Sequence, residues 1–440
     1  MVSDTSGSNI VPLARLAAAL LALGLVAAAC ADDTSTVDAT NTTTTGSGDS
    51  STPPEAGSCD ADAAFAAGIV APACDALDPS VDASEFEVPQ LSSTGREDVA
   101  SALDDAGQDG FPAPLIDLSR IRSGGPPPDG IPSIDNPIFQ NAAAVDWLSP
   151  AEAVLAVEVE GEARAYPIQI LTWHELVNDT IADTPVTISY CPLCNSALAY
   201  DRRLGDRVLD FGTSGRLFNS SMVMYDRQTE SLWTHFDGVA VAGELTGAEL
   251  DTFAISTVSW EDFRTANPDA LVLTRNTGFR RDYWRNPYQG YDDSSTRPFL
   301  FDGEFDDRLE PKARVVVVRD GDEPAVAIEL GDLLAAGVIE FEAHGRSLVA
   351  VLDPGTASPL HRNELAAGYD QGAVNVFENE RDGDRLSLTR VDGGFLDATT
   401  GITFDVLGNE LGGDGRLAAV EHLDTFWFAI VAFDSGVELI

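Results

Sequence analysis

Positive charge is scarce in this chain. Lys312 is its one lysine, and 26 basic residues stand against 72 acidic ones among 440, a net charge of −46. No basic patch can form of the kind that neutralises a phosphate backbone, which excludes nucleic acid as a partner. Direct attraction to anionic lipid head groups is excluded for the same reason. The common catalytic signatures are missing too. No Gly-rich loop ending in Lys is present to cradle phosphates, and no G-x-G-x-x-G follows a strand. His174-Glu175 is not continued into H-E-x-x-H, and there is no G-x-S-x-G elbow. Cys194 is followed by Asn195 rather than His, so c-type haem attachment is excluded. The acid-rich turns at 320–323 and 382–384 lack the spacing of a calcium loop.

Long apolar runs are equally rare. One runs from Leu16 to Ala29 behind Arg15 and ends in Val26-Ala27-Ala28-Ala29-Cys30. It is short for a membrane-spanning helix and reads as a signal peptide over 1–29 of the bacterial lipoprotein type. Cys30 is then the lipid-bearing residue. The chain is placed outside the cytoplasm, on the outer face of the membrane, and meets the membrane only through that lipid. Residues 30–57, with the run Thr42-Thr43-Thr44-Thr45 among Ser, Gly and Asp, have little to bury and read as a disordered tether.

The remaining chain is 44% hydrophobic overall and long enough for a sizeable core. Residues 58–145 form an irregular N-terminal arm rich in Pro and Gly, with modest helical stretches near 60–70 and 97–106. From about 146 strand-length apolar runs dominate: 154–160, 185–190, 208–211 and 222–225. Short helices are predicted over 168–178, where Ile170, Trp173 and Val177 share a face, and over 259–266. The order then recurs. Residues 161–168 align without gaps on 321–328, 185–190 on 347–352, and 226–233 on 397–404. The expected fold class is therefore β-rich α+β, with two pseudo-repeated lobes of antiparallel strands and short helices. The first lobe, 146–275, carries the Cys and His residues. A connecting segment occupies 276–312, and a degenerate second lobe 313–440. On this alignment His174 falls opposite Leu334, and the cysteines opposite 351–355, where there is no sulfur.

Besides Cys30 there are four cysteines. Cys59 and Cys74 flank a short Ala-rich stretch and are predicted to form a local disulfide in an oxidising compartment. Cys191 and Cys194 form a C-x-x-C after the strand-like 186–190, and its two sulfurs suit one of three roles. They can hold a soft metal, copper or zinc, with His174, His235, Met222 and Met224 as further ligands; the two methionines sit at i and i+2, hence on one strand face. They can exchange thiol for disulfide, although the βαβ setting of thioredoxin-like enzymes is missing. Or they can staple a loop in a non-enzymatic envelope module that binds an unidentified protein or glycan. Asp282, Asp292, Asp293, Asp302, Asp306 and Asp307 lie among Tyr283, Trp284, Tyr288 and Tyr291. Such a mixture fits either a carbohydrate cleft or, in so acidic a chain, a solvated connecting loop, which is the favoured reading.

Several stretches together resemble a known family: Asp129-Gly130-Ile131-Pro132-Ser133-Ile134-Asp135-Asn136-Pro137, Trp173-His174-Glu175-Leu176-Val177-Asn178-Asp179, and Tyr190-Cys191-Pro192-Leu193-Cys194-Asn195-Ser196-Ala197. Met224-Tyr225-Asp226-Arg227, Arg281-Asp282-Tyr283, the run 286–291 and Phe426-Trp427-Phe428-Ala429 belong with them. Over roughly 125–435 the chain resembles the prokaryotic domain-of-unknown-function family 3179. The resemblance implies an extracytoplasmic location and carries no activity with it.

Overall fold

Apolar and β-branched runs set the architecture. In the computed structural model, which describes residues 100–321 and 323–440, strand accounts for 40% and helix for 11%, confirming a β-rich α+β fold. The signal segment, Cys30, the tether, Cys59 and Cys74 lie outside the described residues. The part of the expected helix near 97–106 that is described, from residue 100, forms turns.

The first half starts with the hairpin β1 (Ala153–Val159) and β2 (Glu162–Pro167). Glu160 and Gly161, both at positive φ, make its two-residue turn. Helix α1 (Ile168–His174) follows, then the hairpin β3 (Leu176–Ile181) and β4 (Thr184–Cys191), and β5 (Ser196–Asp201). The helix is shorter than the predicted 168–178. Glu175 takes φ 59°, and Leu176-Val177 continue as strand, paired with Ser189 and Ile188. Next come β6 (Phe211–Phe218), β7 (Ser221–Asp226) and β8 (Leu232–Thr234). The half ends with β9 (Ile255–Ser259), α2 (Trp260–Ala266) and β10 (Leu271–Leu273). Ser259 caps α2 by accepting the Asp262 N–H.

The second half runs through the same order. It has β11 (Arg314–Asp320), β12 (Glu323–Glu329), α3 (Leu330–Ala336), β13 (Val338–Ala343), β14 (Arg346–Asp353) and β15 (Ala373–Glu378). Then come β16 (Leu388–Val391), β17 (Gly394–Asp397), β18 (Thr403–Phe404), β19 (Leu423–Phe426), α4 (Trp427–Phe433) and β20 (Glu438–Leu439). Sheet order β9-β1-β2-β10 in the first half corresponds to β19-β11-β12-β20 in the second, the last pair parallel in each. Sheets β3-β4-β5 and β13-β14-β15 correspond, as do β6-β7-β8 and β16-β17-β18.

Local chemistry repeats with the topology. Asp226 accepts the Thr229 N–H and hydroxyl, and Asp397 accepts the same two donors from Thr400. The N–H of Glu175 closes α1 on Leu171 O at 2.7 Å, and that of Gly337 closes α3 on Leu333 O at 2.7 Å. Matching the helix ends puts His174 opposite Ala336, two residues from the predicted Leu334, because the hairpin and helix of the second half are offset differently from the turn used for the alignment.

Residues 122–141 thread into the sheets: Arg122–Ser123 extends the edge at β6, and Phe139–Asn141 pairs with β10. The described residues belong to one compact unit. One apolar cluster unites Leu176, Cys191, Cys194 and Trp233 of the first half with Val315, Phe426, Trp427 and Ile430 of the second.

Candidate functional site: a buried cysteine pair

Strand β4 delivers Cys191 at its last residue, paired with Ser196 at the start of β5. Pro192, Leu193, Cys194 and Asn195 are the loop between them. Asn195 closes it at φ 48°, accepting the Tyr190 hydroxyl at 3.0 Å on its side chain. The two cysteines approach to 3.0 Å, both as free thiols and both buried. A strand, β5, follows the motif where a helix from Asn195 had been an open possibility, so no helix N-terminus acts on these thiols.

Side-chain hydroxyls act instead. Cys194 Sγ lies 3.0 Å from Ser196 Oγ and 3.5 Å from Ser221 Oγ. Ser196 Oγ is 2.9 Å from His235 Nε2, and Ser189 Oγ is 2.6 Å from His235 Nδ1. The Ser189 hydroxyl also donates to Met224 Sδ at 3.8 Å, which leaves its oxygen to accept from an Nδ1–H. Nε2 is then the bare nitrogen, and Ser196 bridges it to the Cys194 thiol. Burial pushes the Cys194 thiol up. Hydrogen bonds from Cys191, Ser196 and Ser221 more than offset this and hold it below the usual thiol range. The Cys191 thiol goes the other way, raised by burial and by its neighbour Cys194. Burial also lowers the basicity of His235, opposed by the adjacent Cys191.

A carboxyl group completes the cluster. Glu175, fully buried at the end of α1, accepts the Tyr288 hydroxyl at 3.1 Å. Burial and the neighbouring Cys191 raise its pKa to about 8. Sequence reasoning passed over Glu175, since a motif of Cys and His drew attention to sulfur and imidazole. The available signal was an acidic residue directly after a helix, where Gly is usual. Tyr288 comes from the connecting segment, which is not simply a solvated loop: Tyr283, Asn286, Asp292 and Lys312 in it are all buried. The second half contributes as well. The Phe426 N–H and the Thr425 hydroxyl both donate to Cys194 O, at 3.0 and 2.9 Å.

The sequence-predicted residues separate into two groups. His235, Met222 and Met224 join the cysteines; both methionines share their apolar cluster, while Val223 and Tyr225 of the same strand face another. His174 does not join. Its Nδ1 is 2.7 Å from Pro132 O and its Nε2 is 2.7 Å from the Tyr283 hydroxyl, so both ring nitrogens are engaged. Burial lowers its pKa to about 3. Among the described residues no group of three or more His, Cys, Asp and Glu side chains is arranged to hold a metal ion. No helix among them is long and apolar enough to cross a membrane.

Every residue of the cluster falls within 128–436, the stretch matched by the model of a family described as "Protein of unknown function (DUF3179)". The chain belongs to this family. No curated protein and no solved structure matches it. The DUF3179 segment thus contains the whole cysteine cluster, together with Pro132, Tyr283 and Tyr288, which position its neighbours.

Proposed function

We propose that the DUF3179 segment is a dithiol redox module in which Cys191 and Cys194 cycle between two thiols and one disulfide. The observation that carries this is the asymmetric pair itself: two free cysteines 3.0 Å apart, one thiol favoured as thiolate and one held protonated. Only the thiolate is nucleophilic, so the asymmetry assigns Cys194 the first attack and Cys191 the second. The proton of Cys194 has a path. It passes to Ser196 while Ser196 passes its own to His235 Nε2, leaving thiolate and imidazolium. The thiolate attacks the sulfur of a small disulfide and expels one thiolate. Cys191 then attacks Cys194 in the mixed disulfide, expels the second thiolate and closes the internal bond. Burial of both sulfurs favours small partners, or large ones only after the Pro192-Leu193 loop opens.

The test is a redox titration of the purified chain in glutathione buffers, read by mass spectrometry of trapped thiols, with elemental analysis of the same samples. The expected result is one reversible two-electron step, absent from the Cys191→Ser and Cys194→Ser variants. A pair that stays reduced across the series would overturn the reading. Copper or zinc at one per chain, lost in both variants, would replace it with a soft-metal site.

The compartment that goes with this reading is extracytoplasmic, with a lipid on Cys30 as the anchor. The apolar run Leu16–Ala29 ending at Cys30 supports it. Cys30→Ala is expected to move the protein from the membrane fraction to the soluble one, and unchanged partition would count against the anchor.

A further inference from the structure

The end of α1 contains a choice of residue that its backbone does not favour. Glu175 and Gly337 occupy the same place in the two halves. Each follows a seven-residue helix, each closes it through its N–H, and each passes its carbonyl to the neighbouring hairpin, Glu175 O to Tyr190 N–H and Gly337 O to Leu352 N–H. Both take positive φ, 59° and 79°. Glycine adopts this conformation without strain, whereas a side chain there is disfavoured. The first half nevertheless has glutamate, and buries it. Strain of this kind persists where the side chain has work to do.

The surroundings of the carboxyl group indicate the work. The groups facing it are Cys191 at the end of β4, Tyr190 beside it, and Tyr288 from the connecting segment. Tyr288 supplies one hydrogen bond, and no arginine, lysine or histidine pairs with the carboxylate. Hydroxyls and His235 serve Cys194, but that path does not include the Cys191 proton. That proton must leave before Cys191 can attack.

We infer that Glu175 is the proton acceptor of Cys191, taking its thiol proton as the internal disulfide closes. The inference rests on the dithiol reading above and adds to it. In the closing step the Cys191 proton moves to the Glu175 carboxylate, the Cys191 sulfur bonds to Cys194, and the partner thiolate leaves with the electron pair of the mixed disulfide. On reduction by a thiol, Glu175 returns the proton. The carboxyl pKa near 8 accords with a group that accepts and returns a proton near neutrality.

The experiment separates the two attacks. The reduced protein is mixed with an aromatic disulfide whose thiolate is coloured. Attack by Cys194 releases the first equivalent and closure by Cys191 the second. Glu175→Gln and Glu175→Gly are expected to leave the first phase unchanged and slow the second by about a hundredfold. The rise of the second phase with pH, centred near 8 in the parent, is expected to move to higher pH in both. Glu175→Gly is also expected to raise the melting temperature, because it removes the strain. Unchanged second phases in both variants would overturn the inference and leave the dithiol reading standing. A lower melting temperature in Glu175→Gly would also overturn it, since the carboxyl group would then be holding the fold. If the parent shows no second phase at all, the dithiol reading itself fails.

Discussion

His174 and Glu175 are adjacent in sequence and serve different clusters. The left-handed turn at Glu175 explains this: it redirects the chain, so Glu175 meets Cys191 and Tyr288 while the His174 ring stays with Pro132, Phe279 and Tyr283. Nearness to a C-x-x-C along the chain was legible in the sequence; the direction of each side chain was not, because a single positive φ decides it. The hydrogen bonds of His174 require a neutral ring, with Nδ1–H donating to Pro132 O and Nε2 accepting from Tyr283. The folded pKa, about 3, lies below the unfolded value, so the unfolded chain gains a proton first as the solution is acidified. The contribution is fully present above about pH 6.5 and is lost progressively as pH falls toward 3, at a limiting slope of about 1.4 kcal/mol per pH unit. His174→Gln removes this titration. The expected result is a lower stability at pH 7, by roughly 1–3 kcal/mol for the polar groups left without partners. The gap to the parent should shrink as pH falls from 6 to 4. Urea unfolding at a series of pH values checks it, and a gap that stays constant would show that His174 does not titrate there.

At the scale of elements, the strands were the legible part. Runs such as Val186-Thr187-Ile188-Ser189-Tyr190 are β-branched, of strand length and bounded by turn residues, and they form the buried strands expected of them. Two features were hidden. The helix over 168–178 was read too long because Val177 continues the helical apolar spacing, but it also fits a buried strand, and pairing with Ile188 takes it. The connecting segment looked like an acidic surface loop by composition. Composition does not reveal that Tyr283 and Tyr288 each send a hydroxyl inward, to His174 and to Glu175. The same limit applies to the thiols. A C-x-x-C followed by a helix would gain its acidity from the helix N-terminus. Here β5 follows, and Ser196 and Ser221 do that work from two different strands. Serines on separate strands leave no spacing signature in a sequence.

At the scale of the whole molecule, the question is why a second half without cysteines accompanies the first. Its residues close the chamber: Thr425 and Phe426 hold Cys194 O, and the Phe426 ring lies 6.3 Å from that of Tyr291. Val315, Val317, Trp427 and Ile430 fill the same apolar cluster as the cysteines. Each buried side chain of this size is worth roughly 1.5–3 kcal/mol, so separating the halves would expose more apolar surface than a domain's net stability of about 5–15 kcal/mol can offset. The halves should therefore unfold together. Guanidinium titration is expected to give one transition, with strand circular dichroism and the reactivity of Cys191 and Cys194 changing at one midpoint. Phe426→Ala, though far from Cys194 in sequence, is expected to cost about 3–5 kcal/mol and to move both probes together. Loss of the second half's signal first, with the thiols still protected, would mean that the first half protects its cysteines unaided. The conserved midpoint would instead make the second half a structural wall of the site, which explains how it can lack cysteines and still keep the fold.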